Sequence, residues 1–242
     1  MKHTFTMIAL AASLSVVSVL AQAPQGGQPA KAPTGTDVYH VHFNKAAPGQ
    51  SAALGRRLST PDPKAAMPGH LLVLRHQEGD DWDYCVIEHL GTKATVDTAP
   101  SPMSPAMRDQ SAWHTDTFAA GPPWADFARA MGFDPAAAGA GNPVYIVGVH
   151  RAVVGHRDQL EQALRNPTTS KVPTGDVVLQ HLEGGPWNFI TITRYNSWAD
   201  LATDRASAGA PGANSAWDEL RMHSASHHDT IADRLPTAAQ GR

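Results

Sequence analysis

The sequence predicts an α+β fold made of two tandem copies of one unit, each running strand, helix, strand, strand, helix. Three observations lead there. Blocks of residues recur in the same order along the chain: Val38-Tyr39-x-Val41 returns as Val144-Tyr145-x-Val147, and Gly49, Leu54 and Leu58 return as Gly155, Leu160 and Leu164. Order is kept while loop lengths change, as a duplicated unit requires. The recurring blocks also switch from period-two alternation to helical spacing. Finally, each copy holds two β-rich runs around a short acidic or glycine-containing turn.

Val38 to Phe43 reads as a strand, with Tyr39, Val41 and Phe43 on one face and Val38, His40 and His42 on the other; Val144 to Val149 repeats the pattern. Gln50 to Leu58 and Arg157 to Leu164 follow as helices, their leucines four apart, ended by Pro61 and Pro63 or by Pro167. Leu71 to His76 and Trp82 to Leu90 form a hairpin around Glu78-Gly79-Asp80-Asp81. The second hairpin is Val177 to His181 and Trp187 to Tyr195 around Glu183-Gly184-Gly185-Pro186. Ser104 to Ala119 and Ser215 to Leu235 read as helices carrying a shared Arg-x-x-Ser-Ala-x-His-x-Asp-Thr motif, and Pro122 to Phe133 as a short extra helix. No fourth strand is evident in either copy.

The expected organisation is a signal peptide at 1–23, a Pro/Gln/Gly-rich leader at 24–36, repeat 1 at 37–133, an Ala/Gly linker at 134–142, repeat 2 at 143–235 and a tail at 236–242. The apolar run from Met7 to Leu20 is shorter than the roughly 20 residues of a membrane span, and Ala21-Gln22-Ala23 has the small-x-small form of a cleavage site. A secreted or periplasmic protein follows, with no membrane contact after cleavage. Cys85 is the single cysteine, so no intrachain disulfide forms. A net charge of −3 without any Lys/Arg run argues against nucleic acid and anionic membranes as partners.

The pattern resembles the dimeric α+β barrel superfamily, whose units are ferredoxin-like and which includes antibiotic-biosynthesis-type monooxygenases and stress-responsive barrel proteins. The residues that carry the resemblance are the strand Asn188 to Tyr195 running into Trp198, then a helix ending His223-x-x-Ser226-His227-His228. The resemblance implies two ferredoxin-like repeats whose antiparallel sheets pack as a pseudo-dimeric barrel within one chain, as a monomer or a homodimer. It also implies oxygenase-like chemistry. The Ala/Gly-rich insert from Ser207 to Ala213 departs from the superfamily pattern.

Comparing the copies separates scaffold from site. Tyr39, Val41 and Phe43 stay apolar in the second copy, so that face, with Cys85 and Ile87, is expected to carry the helices. The opposite face reads His40, His42, Asn44 in one copy and Ile146, Gly148, His150 in the other. Two imidazoles need partners if buried. In a ferredoxin-like sheet the first and third strands are antiparallel neighbours, which places Glu88 beside them. His40, His42 and Glu88 are therefore the candidate catalytic residues and also a two-histidine, one-carboxylate set suited to iron or zinc. A metal-free polar pocket for a small organic ligand fits the same residues equally. Asn44, His76, Trp82, Tyr84 and His114 are expected to line it, with Trp82 and Tyr84 as its apolar wall. The motif shared by Arg108, His114, Asp116 and their counterparts is expected to be structural, because it is kept twice. Three function classes stay open: an enzyme with oxygenase-like or metal-assisted chemistry, a non-catalytic binder of small ligands, and a structural or partner-binding protein.

Overall fold

A computed structural model describes residues 37–65, 67–92, 110–133, 142–166, 170–207 and 215–237. The expected signal peptide, leader, linker residues 134–141 and tail residues 238–242 lie outside this set. So do Arg108, Pro167 and most of the Ala/Gly-rich insert. Among the described residues the strands are β1 Asp37–Ala46, β2 Leu71–Glu78, β3 Tyr84–Gly91, β4 Ser111–Gly121, β5 Val144–Ala152, β6 Gly175–Glu183, β7 Phe189–Tyr195 and β8 Ser224–Arg234. The helices are α1 Ser51–Leu58, α2 Trp124–Ala130, α3 Arg157–Arg165, α4 Trp198–Ser207 and α5 Ala216–His223. None of these helices is long and apolar enough to cross a membrane.

The eight strands close into one antiparallel barrel in the order β1-β3-β2-β8-β5-β7-β6-β4, with β4 returning to β1. Each half has the ferredoxin-like strand order, β4-β1-β3-β2 and β8-β5-β7-β6. The halves meet where the fourth strand of one pairs with the second strand of the other, β2 with β8 and β4 with β6. Closure removes every free sheet edge.

The fourth strands correct the expected helices over Ser104 to Ala119 and Ser215 to Leu235. Ala216–His223 is helical and so is Gln110 at the edge of the described residues, while Ser111–Gly121 and Ser224–Arg234 are strands. Residues 104–109 lie outside the described set. These runs are rich in Ser, Ala, His and Asp, and their few branched residues, Thr115, Thr117, Thr230 and Ile231, are too sparse to mark a strand locally. What makes them strands is pairing on both sides, β4 with β1 and β6 and β8 with β5 and β2. Small residues are required at the joint: a Cβ on Gly121 would come within 2.5 Å of Leu179 and 2.7 Å of the Tyr39 ring.

A second correction concerns the faces of the sheet. Tyr39, Val41, Phe43, Cys85 and Ile87 do not carry α1, α3 or α4. They point into the barrel, where they pack with Tyr145, Val147, Ile190 and Ile192 in one buried cluster. The residues kept apolar in both copies are those of the dry interior, where full burial of a large apolar side chain is worth about 1.5–3 kcal/mol. Helices cover parts of the outer face. Leu54 and Leu58 of α1 pack on Leu71, Val73, Tyr84 and Val86; Leu160 and Leu164 of α3 pack on Val178 and Phe189. Leu201 of α4 covers Val144, Ile146 and Tyr195. The short helix expected in Pro122 to Phe133 is α2. It closes the barrel end where Tyr39 and Tyr145 sit: Phe127 stacks on Tyr39 at 5.0 Å, and the two phenols donate to the carbonyls of Pro122 and Met131 at 2.6 and 3.0 Å.

Candidate functional site

β1 and β3 pair so that His40 lies directly opposite Glu88, and β1 and β4 so that His42 lies opposite Asp116 and Asn44 opposite His114. The alternation of β1 sends His40, His42 and Asn44 to the outer face of the barrel. His40, His42 and Glu88 each offer a ligand atom, and these lie within 4.8 Å of one another. The structure therefore brings the three predicted residues together, on the outside of the barrel rather than on a face turned away from helices.

His40 is held between two carboxylates. Its Nδ1 lies 2.9 Å from Glu88 Oε2 and its Nε2 3.0 Å from Asp116 Oδ1, and the other oxygen of Asp116 is 3.0 Å from His114 Nε2. With both ring nitrogens facing carboxylates, the ring holds two protons. Burial alone would lower the His40 pKa, but the hydrogen bonds to Asp116 and Glu88 and the charges behind them outweigh it and push it up to about 9. Burial likewise raises Glu88, and the hydrogen bond from His40 with the His40 charge outweighs it and lowers the carboxyl from its ordinary value. The hydrogen bond from His40 does the same for Asp116.

His42 is the opposite case. It stacks on His40 with ring centroids 4.9 Å apart, and is pulled down to about 4 by burial first and by the neighbouring His40 charge second. Asn44 Nδ2 donates to its Nδ1 at 3.0 Å, and its Nε2 is buried without a partner. A doubly protonated imidazole thus sits face to face with a neutral one, and the neutral one keeps an unspent hydrogen-bonding atom.

The second half lacks this arrangement. Ile146 and Thr193 stand where His40 and Glu88 stand in the first, and Gly148 replaces His42. A Cβ on Gly148 would meet Thr191 Oγ1 at 2.5 Å and His150 Nε2 at 2.7 Å, so the His150 ring fills that space.

Other predicted residues lie elsewhere. Tyr84 shares the outer face but serves α1: its hydroxyl donates to the Ser51 carbonyl at 2.8 Å, and its ring leaves no room for a Cβ on Gly55. Trp82 belongs to the barrel interior with Phe43, not to a wall beside His40, because the strand ends there and the chain turns inward. His76 packs edge-on against Trp82 as His181 does against Trp187, a matched pair of hairpin contacts. His114 reaches the site through Asp116.

Sequence reasoning missed Asp116, because a helix over Ser104 to Ala119 points it away from β1; the strand places it opposite His42. It also missed a neighbouring polar chain. His70 Nδ1 donates to His89 Nδ1 at 2.8 Å, and His89 Nε2 donates to Asp37 at 2.8 Å. The backbone N–H of Trp124 donates to the same Asp37 oxygen. A small cleft of about 40 Å³ runs between this chain and Glu88. The alternation of His and acid across 37–42 and 88–89 was the available signal.

The donor set fits a single divalent ion in kind and spacing. Binding one requires a proton to leave His40 and at least one carboxylate hydrogen bond to break, so the arrangement as it stands favours proton chemistry.

No protein-family model and no curated protein matches the chain. Solved structures do. An anthrone oxidase-like protein superposes with a TM-score of 0.59 at 12% identity, over 86% of this chain and 97% of its own. A candidate monooxygenase from Lactobacillus acidophilus gives a TM-score of 0.52 at 10% identity, over 82% of this chain and 94% of its own. At such identities the likeness establishes architecture. Topology and superposition together give this chain a fold of the dimeric α+β barrel type, with both halves of the barrel in one polypeptide.

Proposed function

We propose that the protein is an enzyme with oxygenase-like chemistry on a small, partly aromatic organic molecule, and that the His40 site moves the proton. The observation that carries this is the stacked pair of imidazoles in unlike settings, His40 clasped by Glu88 and Asp116 and His42 buried with one nitrogen unpartnered. Such a site suits a carbon acid whose neighbouring oxygen gains negative charge as a proton leaves. The charged His40 stabilises that oxygen, and a carboxylate freed from His40 accepts the proton. The resulting carbanion is electron-rich enough to reduce dioxygen. For a methylene between aromatic rings the balance is two C–H bonds and one O₂ exchanged for a carbonyl and one water. Related architecture in an anthrone oxidase-like protein supports this class of substrate.

Oxygen uptake by the purified protein with anthrone and simple phenols tests the reading. His40→Gln is expected to lower the rate by about 10²–10⁴-fold, the usual contribution of a positioned acid or base. Equal rates for wild type and variant sink the proposal. Saturable binding of these compounds without uptake assigns the site to a non-catalytic binder instead.

The spacing of the three donor atoms favours one second reading, a bound iron or zinc ion. Untagged protein is then expected to hold close to one equivalent, lost in His40→Ala. Less than about a tenth of an equivalent in the wild type removes it.

A further inference from the structure

The barrel end opposite α2 is open, and it holds a cavity of about 170 Å³ on the inner side of the sheet, separate from the His40 site on the outer face. Its walls are aromatic: Phe43, Trp82, Trp113 and Trp187 line it, and Phe43 and Trp82 meet at 5.4 Å. Its charged groups are Asp80 and Asp81, and no basic side chain among the described residues lines it. From this we propose that the barrel mouth binds a small organic cation of the methylated-ammonium class.

Size, charge and chemistry converge on that class. A cavity near 150 Å³ admits a molecule the size of benzene, and a tetraalkylammonium head is comparable. The faces of indole and phenyl rings are negative and attract a cation, most strongly when it is shed of water. Two carboxylates at the same mouth add charge of the same sense. Among the described residues Asp80 has one ion-pair partner, the exposed His228 imidazole at 3.2 Å, and Asp81 has none. A primary ammonium would lose hydrogen bonds to water against walls of indole, Val149 and Pro186, at a free-energy cost. A quaternary ammonium has no such bonds to lose.

Comparison of the two halves sharpens the inference. Trp82 and Trp187 are matched positions and face the cavity from opposite repeats. The carboxylates have no counterpart: where the first turn reads Asp80-Asp81, the second reads Gly185-Pro186. Duplication therefore supplied the aromatic walls twice, and the negative charge lies on one side only. A two-ended ligand would place its ammonium toward the first repeat.

Titration of the full chain with choline, followed by tryptophan fluorescence and calorimetry, tests the proposal against 3,3-dimethylbutan-1-ol, the uncharged carbon isostere of choline. Choline is expected to bind about tenfold or more tightly than the isostere, a difference in the range cation–π and carboxylate attraction supply. Asp80→Asn combined with Asp81→Asn is expected to weaken choline about fivefold and leave the isostere unchanged. Both substitutions lie in a turn, and circular dichroism verifies folding. Trp113→Ala, at a half-buried wall position, is expected to weaken choline by a similar factor. Equal affinity for choline and its isostere overturns the proposal, as does the absence of saturable binding up to about 100 mM. Choline affinity indifferent to the aspartates overturns it as well.

Discussion

Gly184→Ala is expected to lower the unfolding temperature by roughly 6–12 °C, and Gly79→Ala by a similar amount. Both glycines have backbone φ values that L side chains rarely adopt, +114° and +132°. Both also lie against backbone of the opposite half. A Cβ on Gly184 would sit 2.3 Å from the Asp116 carbonyl oxygen and 2.9 Å from Thr117 Cα; one on Gly79 would sit 2.7 Å from the Asp229 carbonyl oxygen and 2.7 Å from Thr230 Cα. Neither backbone can retreat without loosening the β4–β6 or β2–β8 pairing that closes the barrel. Dihedral strain costs about 1–3 kcal/mol and enforced overpacking a comparable amount. A total of about 3 kcal/mol corresponds to the stated shift at 2–4 °C per kcal/mol for a chain of this size. Gly49→Ala is the control, because its φ is +76° but nothing lies within 4 Å of its Cβ. Thermal unfolding in which Gly184→Ala loses no more than Gly49→Ala would show that the tight joint contributes nothing.

The same joint accounts for the threonine of the repeated motif. Thr117 Oγ1 accepts from the Gly185 N–H at 2.8 Å, and Thr230 Oγ1 accepts from the Asp80 N–H at 3.2 Å. Each Thr on a fourth strand thus holds the turn of the other repeat. The Asp before it meets the turn glycine through its backbone carbonyl, and the Asp116 side chain holds His40.

Acid is expected to destabilise the protein well above the range where ordinary carboxylates titrate. His42 and His150 are both buried and both lowered from 6.5 to about 4, with burial the leading cause. His42 also faces His40, Glu88, Asp116 and His114; His150 faces Asp229 and His227. In the unfolded chain each takes up a proton near pH 6.5, and in the folded chain only near pH 4. Between those values the unfolded state binds more protons, so stability falls as pH falls, by about 3 kcal/mol for each group. His40 has the opposite sign. Its contribution is complete below pH 6.5 and is lost as pH rises through about 9. Stability should therefore decline on both sides of neutrality. Urea midpoints measured from pH 8 to 4.5 check this, and His150→Gln should remove part of the acid slope. A midpoint that stays level from pH 7 to 4.5 would contradict the burial of neutral imidazoles.

Several elements are written in local pattern alone. Duplication is written in recurring residues, β1 and β5 in period-two alternation, α1 and α3 in paired leucines, and the hairpins in Glu-Gly turns. Adjacency of β1 and β3 followed from the superfamily resemblance, which is why His40 and Glu88 were foreseen as neighbours. Alternation reports that a strand has two unlike faces; it carries no information on which face a closed barrel turns inward. Tyr39, Val41 and Phe43 line the interior because eight strands enclose the driest space available, a property of the closed sheet and not of β1. β4 and β8 were illegible for a related reason. Their Ser, Ala, His and Asp residues favour no strand, and pairing with two neighbours each outweighs them. Asp116 joined the site only through that pairing, since a carboxylate reaches His40 from a register that no single segment specifies.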